Sequence, residues 1–480
     1  MSEEGVKVSK NAVFLMLAEG IRRLFSFVIV IILARYLSVA HFGIFSLAFA
    51  LVWIFSVFAN FGMNPLLTRN IARDHSQAQI MMGDVQILKV VFYAATTLAI
   101  YGTCRALSYD ALTVHAILIA TAGLFFQILE DSYVGMFDAY QRMEFSGVVA
   151  VVKTSAVLLV VLVVVNAGGG LLAVVTAYLL ANVASLSASV ILSRKFIGGL
   201  DLSVNRDRMI GLIREAYPFL LIGLVWIIAF RVDMVMLSKL RTEQEVGLYR
   251  VSYSLFEVLL VLPALFSRAL YPAFSRMLGT GDLDGTRRLF QNAIRIFAII
   301  SLPMCAGLYF LGPRFVVLFF GEKYAASGPV LSFFGLFLWL WFVTPAMGWA
   351  LTAADRLKLV LKCNVASMLV NIGANFALIP LFGFPGAAGA TVLSEIVLMV
   401  SFLVVVRRDY RLLSVSQIPF KPILATLVMG AFCFLLGSWN LLFVVAASAA
   451  VYFLVLLITG TLGKAELDLA RKMLGSFKRG

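Results

Sequence analysis

Charge is scarce in this chain. Only 13% of its 480 residues are Asp, Glu, Lys or Arg, where a soluble globular domain carries about 25%. That deficit excludes a soluble enzyme and a charged disordered tail. Cysteine is scarce too. Cys104, Cys305, Cys363 and Cys433 lie far apart with no CxxC pair, which excludes a disulfide framework and a zinc site. They read as small buried hydrophobes. The three histidines, His41, His75 and His115, sit at no ligand spacing from one another or from a cysteine, so no metal site is expected. A GxxxxGK[ST] phosphate loop is missing, which excludes an ATP-driven pump of that type. Long polar stretches are missing as well. The longest runs from Arg194 to Glu215, 22 residues, too few for a folded extramembrane domain. Proline barely occurs in the first half: of 12, only Pro65 precedes Pro218.

What fills the chain is apolar. Hydrophobic residues make up 62% and the mean hydropathy is +0.98. A transmembrane helix needs about 20 mostly apolar residues. Segments of that kind are predicted at 12–36, 42–64, 85–105, 112–138, 145–166, 170–193, 216–238, 246–275, 289–311, 327–353, 358–381, 387–406, 420–438 and 441–460. Breaks such as NAGGG, GTGDLDG and FGFPG separate them. The expectation is an all-α integral membrane protein of about 14 transmembrane helices. The start, MSEEGVKVSKNAVF, leads into an apolar stretch holding Glu19, Arg22 and Arg23. A signal-peptide core would be shorter and uncharged, so this reads as a retained first helix with its N-terminus in the cytosol.

Positive charge orients membrane helices. With a cytosolic N-terminus, the outer connections carry Arg35, Arg105, Lys239, Arg241, Arg314 and Lys323, six residues. Arg22, Arg23, Arg231, Arg250 and Arg268 are assigned to the membrane or its edge. The other 28 of the 39 basic residues go to the inner side. That asymmetry places both termini in the cytoplasm of a multi-pass protein of the cytoplasmic membrane. It accounts for the net charge of +14 without nucleic acid, and it favours contact with anionic membrane lipids. The tail KAELDLARKMLGSFKRG is expected to lie on the inner leaflet as a basic amphipathic helix.

The chain also repeats itself. Phe42-Gly43-Ile44-Phe45 lines up with Val246-Gly247-Leu248-Tyr249, 204 residues later. Both open the second helix of a six-helix block, and LLTRNIAR (66–73) corresponds loosely to LYPAFSRM (270–277). Two six-helix blocks of one orientation plus two further helices follow, a duplication common in secondary transporters. The expected domains are an N-terminal lobe at 1–193, a cytoplasmic linker at 194–215, a C-terminal lobe at 216–406, two more helices within 407–460, and the tail at 461–480.

Three stretches carry a family resemblance. ARYL followed by FGIFSLAFAL, with TRNIAR beyond it, is one. DMVMLSKLRTEQEVGLYRVSYSLFEVL followed by LYPAFSRM is the second, and NIGANFALIPLFGFPGAAGATVLSE (371–395) the third. Over roughly residues 10–410 the chain resembles the polysaccharide-export flippases of the multidrug/oligosaccharidyl-lipid/polysaccharide exporter superfamily. The resemblance implies two six-helix lobes in a V shape around a central cavity. It implies a substrate as well, an undecaprenyl- or dolichyl-pyrophosphate-linked oligosaccharide moved across the membrane by alternating access for surface polysaccharide biosynthesis. Polysaccharide polymerases or glycosyltransferases would be its partners. Two rivals stand beside this reading. One is a cation-coupled multidrug exporter of the same fold, which would want an acid-dominated cavity. The other is a membrane glycosyltransferase or polymerase, for which no connection is long enough. No cofactor is expected; coupling to Na⁺ or H⁺ stays open.

Charges at membrane depth are costly and usually face a bundle interior or a water-filled cavity, so they are the candidate site. Arg22 and Arg23 lie about 12–18 Å into the first helix at 1.5 Å per residue, and Glu19 pairs with Arg23 at i,i+4. Similar flippases of the lipid II type carry an early-helix arginine facing the cavity, as the resemblance implies. Arg231 and Asp233 fall in the seventh predicted helix, two apart and on different faces. Arg250, Glu257 and Arg268 fall in the eighth, with Arg250 and Glu257 on one face, and with Pro263 expected to kink it. Arg268 reads equally as a snorkelling residue. The five arginines are the candidate substrate contacts. In the fourth helix Gln127, Glu130 or Asp131, Val134 and Asp138 make a stripe that lines the cavity, takes a coupling cation or pairs with the arginines of the first helix. Glu395 in the twelfth is a lone carboxylate suited to carrying a proton. Asn364, Asn371 and Asn375 share a face expected to bond between helices. Tyr249, Tyr253, Trp339, Trp341 and Trp349 are expected to pack or to form interface belts rather than to stack on sugars.

Overall fold

The computed structural model describes residues 20, 22–197, 199–410 and 420–461, with the side chains of 195–197, 265, 267–269 and 409–410 left aside. Glu19, the 411–419 connection and the tail from residue 462 on therefore lie outside the described residues. Among the described residues every regular element is helical: sixteen α-helices and two 3₁₀ turns, with no strand. Twelve stretches of helix are long and apolar enough to cross a membrane. The described part of α1 (22–36) and the 16-residue apolar α15 (Phe420–Leu435) bring the number close to the expected 14.

The chain divides into two compact units, Met1–Gly247 and Leu248–Gly480. The first holds α1, α2 (Val39–Asn60), α3 (Met63–Arg73), α4 (Ala78–Ala106), α5 (Ala111–Ala139), α6 (Met143–Asn166), α7 (Leu171–Ile197), α8 (Arg206–Leu240) and the first turn of α9 (Glu243–Leu259). In it α5 packs on α6 and α7, and α2 packs on α4, α5 and α8. Its core holds Met63, Leu66, Leu67 and Ile71 from α3 against Met82 and Val85 from α4, Met136 and Phe137 from α5, and Ala216 from α8.

Local chemistry explains the helix ends. Ser38 caps α2 by accepting the N–H of His41 at 3.2 Å. Asp110 caps α5 through the N–H groups of Leu112 and Thr113. Asn205 caps α8 through Arg208 at 3.0 Å. Between α2 and α3 the backbone turns through Phe61 and Gly62, both with positive φ. A Cβ on Gly62 would lie 2.6 Å from the Ala216 carbonyl, so α8 can approach only a glycine there. A second tight crossing joins the repeat-related glycines. A Cβ on Gly43 would fall 1.7 Å from the Glu243 carbonyl oxygen and 3.0 Å from the Gly247 nitrogen. One on Gly247 would fall 2.3 Å from the Val39 carbonyl.

The second unit continues α9 and adds α10 (Val261–Gly279), α11 (Leu283–Phe320), α12 (Gly328–Ala353), α13 (Leu357–Phe382), α14 (Phe384–Tyr410), α15 and α16 (Leu441–Ile458). Here α12 packs on α10, α11 and α14, α13 packs on α14, and the α15–α16 hairpin packs on α11. Two arginines of α11 staple that hairpin at its ends. Arg314 donates to the carbonyls of Gly437 and Trp439, and Arg295 donates to that of Thr461 at 2.7 Å.

Two stretches differ from the sequence expectation. Residues 65–84, expected as a loop, hold α3, a 3₁₀ turn and the start of α4. The helix expected at 246–275 is two helices that part at Leu260. Pro263 has no N–H to give the Leu259 carbonyl, and its ring crowds that carbonyl, so the ladder breaks one turn upstream. Of the 194–215 stretch only residues 199–205, among those described, lie outside helix. They are pinned to α4. A Cβ on Gly83 would sit 1.7 Å from the Asp201 carbonyl oxygen, and the buried Asp84 carboxylate takes both an Nε and an Nη donor from Arg208. Asp201 itself is held below the usual carboxylate range by the Ser203 backbone N–H, at 2.9 Å.

Candidate functional site

The candidate charges of the first unit lie on three helices, α1, α5 and α8. Arg22 and Arg23 lie half-buried at the start of the described part of α1; Glu19, their expected partner, lies outside the described residues. Arg231 on α8 is 8% exposed. Its guanidinium lies over the ring of Trp53 on α2, 4.4 Å from the centroid. Asp233 is also buried, and its carboxylate accepts the Met234 N–H at 2.8 Å.

The α5 stripe does not stay together. Glu130 is buried and accepts Nζ of Lys153, from α6, at 3.1 Å and the hydroxyl of Ser185, from α7. The carboxylate thus pairs with a lysine of α6, where the sequence offered an arginine of α1. Asp138 accepts the Ser146 hydroxyl of α6 at 2.8 Å. Asp131 lies within electrostatic reach of Lys89 on α4. Lys89 is fully buried, and its three ammonium protons go to Asn64 Oδ1, the Ile128 carbonyl and Ser132 Oγ, at 2.5, 2.7 and 2.7 Å.

In the second unit Arg250 and Glu257, expected on one face, form an ion pair of 2.7 Å along α9. The side chain of Arg268, on α10, is outside the described residues. Glu395 on α14 is half-buried and faces Thr344 of α12. On the asparagine face of α13 Asn371 bonds between helices, donating to Ser394 Oγ of α14 at 3.3 Å, while Asn375 donates to Asn371 of its own helix at 3.0 Å. Asn364 instead bonds back to the Val360 carbonyl of its own helix. Tyr249, Tyr253 and Trp341 are buried and pack with Phe256 and Phe334. Trp349 packs edge-on against Tyr271. All four cysteines are buried thiols.

Three residues went unnoticed in the sequence. Lys89 and Lys153 were counted with the inner-side charges, yet both lie inside helices of the first unit. The signal was visible for Lys153, the one charged residue in the run from Val148 to Val165. Trp53 carries no such signal, because only the fold brings it under Arg231.

The donors and acceptors found here bind and orient polar groups within a bundle. No group of three or more His, Cys, Asp or Glu that could hold a metal ion occurs among the described residues. Known proteins agree with a transporter. The chain is 24% identical over 406 residues to a putative O-antigen transporter of Shigella dysenteriae, covering 83% of this chain and all of that one. Its fold is shared with the lipid II flippase MurJ in an inward closed conformation, at a TM-score of 0.78 and 14% identity over 94% of this chain and 99% of that one. It is shared also with an inward-facing multidrug resistance MATE transporter, at a TM-score of 0.69 and 16% identity over 82% of this chain and 95% of that one. At such identities the solved structures speak for the fold alone. The MatE family matches residues 218–377. The family described as "Polysaccharide biosynthesis protein" matches residues 8–278, more than half the chain, and this multi-pass membrane protein belongs to it.

Proposed function

We propose that the protein is a flippase that moves a polyprenyl-pyrophosphate-linked oligosaccharide across the cytoplasmic membrane for surface polysaccharide biosynthesis. The observation that carries this is the match to the O-antigen transporter along that protein's whole length. A buried arginine inside the membrane bundle, Arg231, fits the substrate's chemistry. The glycan is too polar to cross hydrocarbon unaided, and the diphosphate is an anion that guanidinium groups bind through charge-assisted, often bidentate bonds. Arg22, Arg23, Arg231, Arg250 and Arg268 are the proposed substrate contacts. Glu19, Glu130, Asp131, Asp233, Glu257 and Glu395 serve charge pairing or coupling to Na⁺ or H⁺. Both termini are cytoplasmic, the polyprenyl tail stays in lipid, and polymerases or glycosyltransferases of the same pathway supply and consume the substrate.

The test is complementation in a deletion strain, scored as surface polysaccharide. Arg22→Ala, Arg23→Ala and Arg231→Gln should each lower export at equal protein level. Unchanged polysaccharide in all three would remove the site assignment. A second reading, a cation-coupled drug exporter, is favoured by the MatE match to residues 218–377. Drug efflux by the purified protein in liposomes, with no movement of lipid-linked sugar, would establish it instead.

A further inference from the structure

We propose that Trp53 is a sugar-stacking platform that reads the first pyranose ring of the substrate beside the diphosphate held by Arg231. The inference rests on the flippase reading and adds a specificity residue to it. The guanidinium of Arg231 covers Trp53 at 4.4 Å from the ring centroid, and yet the tryptophan remains 37% exposed. The contact fixes the indole in one orientation, so little freedom is lost when a ligand lands on it. In a lipid-linked glycan the first sugar is joined directly to the diphosphate. A platform for that sugar must stand within one ring's length of the cation that binds the phosphates, and this spacing meets that need. A pyranose offers C–H bonds on its flatter face, and an aromatic ring offers a negative face to meet them.

The rest of α2 argues that this face does not look into lipid. Beyond its first turn, the polar side chains of α2 are Ser46, Ser56 and Asn60. At about 100° per residue, all three fall within about 60° of Trp53. A stripe turned to hydrocarbon has no reason to collect them. The track also continues: Asn60 Oδ1 accepts from Asn64 at 3.4 Å, and Asn64 Oδ1 takes the Lys89 ammonium. Trp53 stands seven residues from the Asn60 end of α2, about 10 Å at 1.5 Å per residue. Trp53 thus sits inside the span Val39–Asn60 and not at either of its ends, where tryptophan belts form.

The experiment measures binding of two probes to the full-length protein in nanodiscs: undecaprenyl pyrophosphate, and undecaprenyl-pyrophosphoryl-N-acetylglucosamine. Trp53→Leu should weaken the sugar-bearing lipid about three- to tenfold, the size of an aromatic stacking contact, and leave undecaprenyl pyrophosphate unchanged. Trp53→Phe should stay close to wild type, and Arg231→Gln should weaken both lipids. Equal weakening of both by Trp53→Leu would mean that the indole only props up Arg231, and would overturn the proposal, as would no weakening of either. Fluorine NMR of wild-type protein carrying 5-fluorotryptophan is a readout that does not need the leucine variant to fold. The Trp53 resonance, assigned with Trp53→Phe, should move with the sugar-bearing lipid and not with the bare diphosphate; movement with both alike refutes the platform. Failure of wild type to bind either lipid sinks the flippase reading itself, and this inference with it.

Discussion

Removing Lys153 should destabilise the first unit more than removing its partner, and removing both should restore most of the loss. Glu130 is the buried member, its side chain 6% exposed against 27% for Lys153. In Lys153→Met the carboxylate stays in place and keeps only the Ser185 hydroxyl. Stranding one charge of a buried pair costs about 3–5 kcal/mol. The remaining hydrogen bond offsets little, since interhelical bonds in membranes average about 0.6 kcal/mol. In Glu130→Gln the amide still accepts from Ser185, and the lysine has an exposed quarter through which to turn outward, so about 1–2 kcal/mol is expected. In the double variant no charge is left and two apolar stems meet, a change that is often neutral. At about 2–4 °C per kcal/mol for a unit of roughly this size, Lys153→Met should melt about 6–20 °C below wild type. Glu130→Gln should melt only a few degrees below, and the double variant above Lys153→Met. Differential scanning fluorimetry in detergent reads all three. Additive losses, with the double variant the least stable, would refute the reasoning, because they would mean that the two groups do not stabilise each other.

Four further outcomes follow from the geometry. Gly43→Ala must push aside the Glu243 carbonyl, which a Cβ would approach to 1.7 Å, so its yield of folded protein should collapse, while Gly102→Ala, with open space around it, should purify normally by size-exclusion chromatography. Asp84→Asn should loosen residues 199–205 by weakening the two hydrogen bonds from Arg208, seen as faster hydrogen exchange there with the rest of α4 unchanged; equal exchange would refute it. The Asp201 carboxylate is depressed by its bond to Ser203, so its hold on the turn is full above about pH 4, the ordinary carboxylate range, and is lost as pH falls through the lowered value. Proteolysis of the 199–205 stretch should therefore stay flat from pH 7 to 5 and rise only below about pH 4. A reporter active only in the cytosol, fused to the C-terminus, should be active; an inactive reporter at equal expression would reverse the proposed orientation.

The spans were legible because each is a run of apolar residues too long for anything but a membrane helix; the starts were less so, since α8 begins at Arg206 behind the Asn205 cap, ten residues ahead of the apolar run expected from 216. The α3 helix escaped notice because MNPLLTRNIAR is polar in sum, although Met63, Leu66, Leu67 and Ile71 recur at helical spacing. The break at Leu260 was foreshadowed by Pro263 but placed as a bend. Within the site, spacing along one helix was readable, as in Arg250 and Glu257. Pairing between helices was not. Glu130 meets Lys153 and Arg231 meets Trp53 because α5 packs on α6 and α2 on α8, and nothing in a linear pattern names those neighbours.

The meeting of Gly43 and Gly247 has a bearing on descent. When two copies of one polypeptide associate about a two-fold axis, a residue can touch its own counterpart only on that axis. Gly43 and Gly247 line up when the two stretches of sequence are compared; a Cβ on Gly43 would strike the Glu243 carbonyl and reach the Gly247 nitrogen, and one on Gly247 would strike the Val39 carbonyl. In an ancestor made of two identical chains, a single change at this codon would have struck both sides of the contact at once. In a single chain that coupling is gone: the two positions are free to vary separately, and both are glycine.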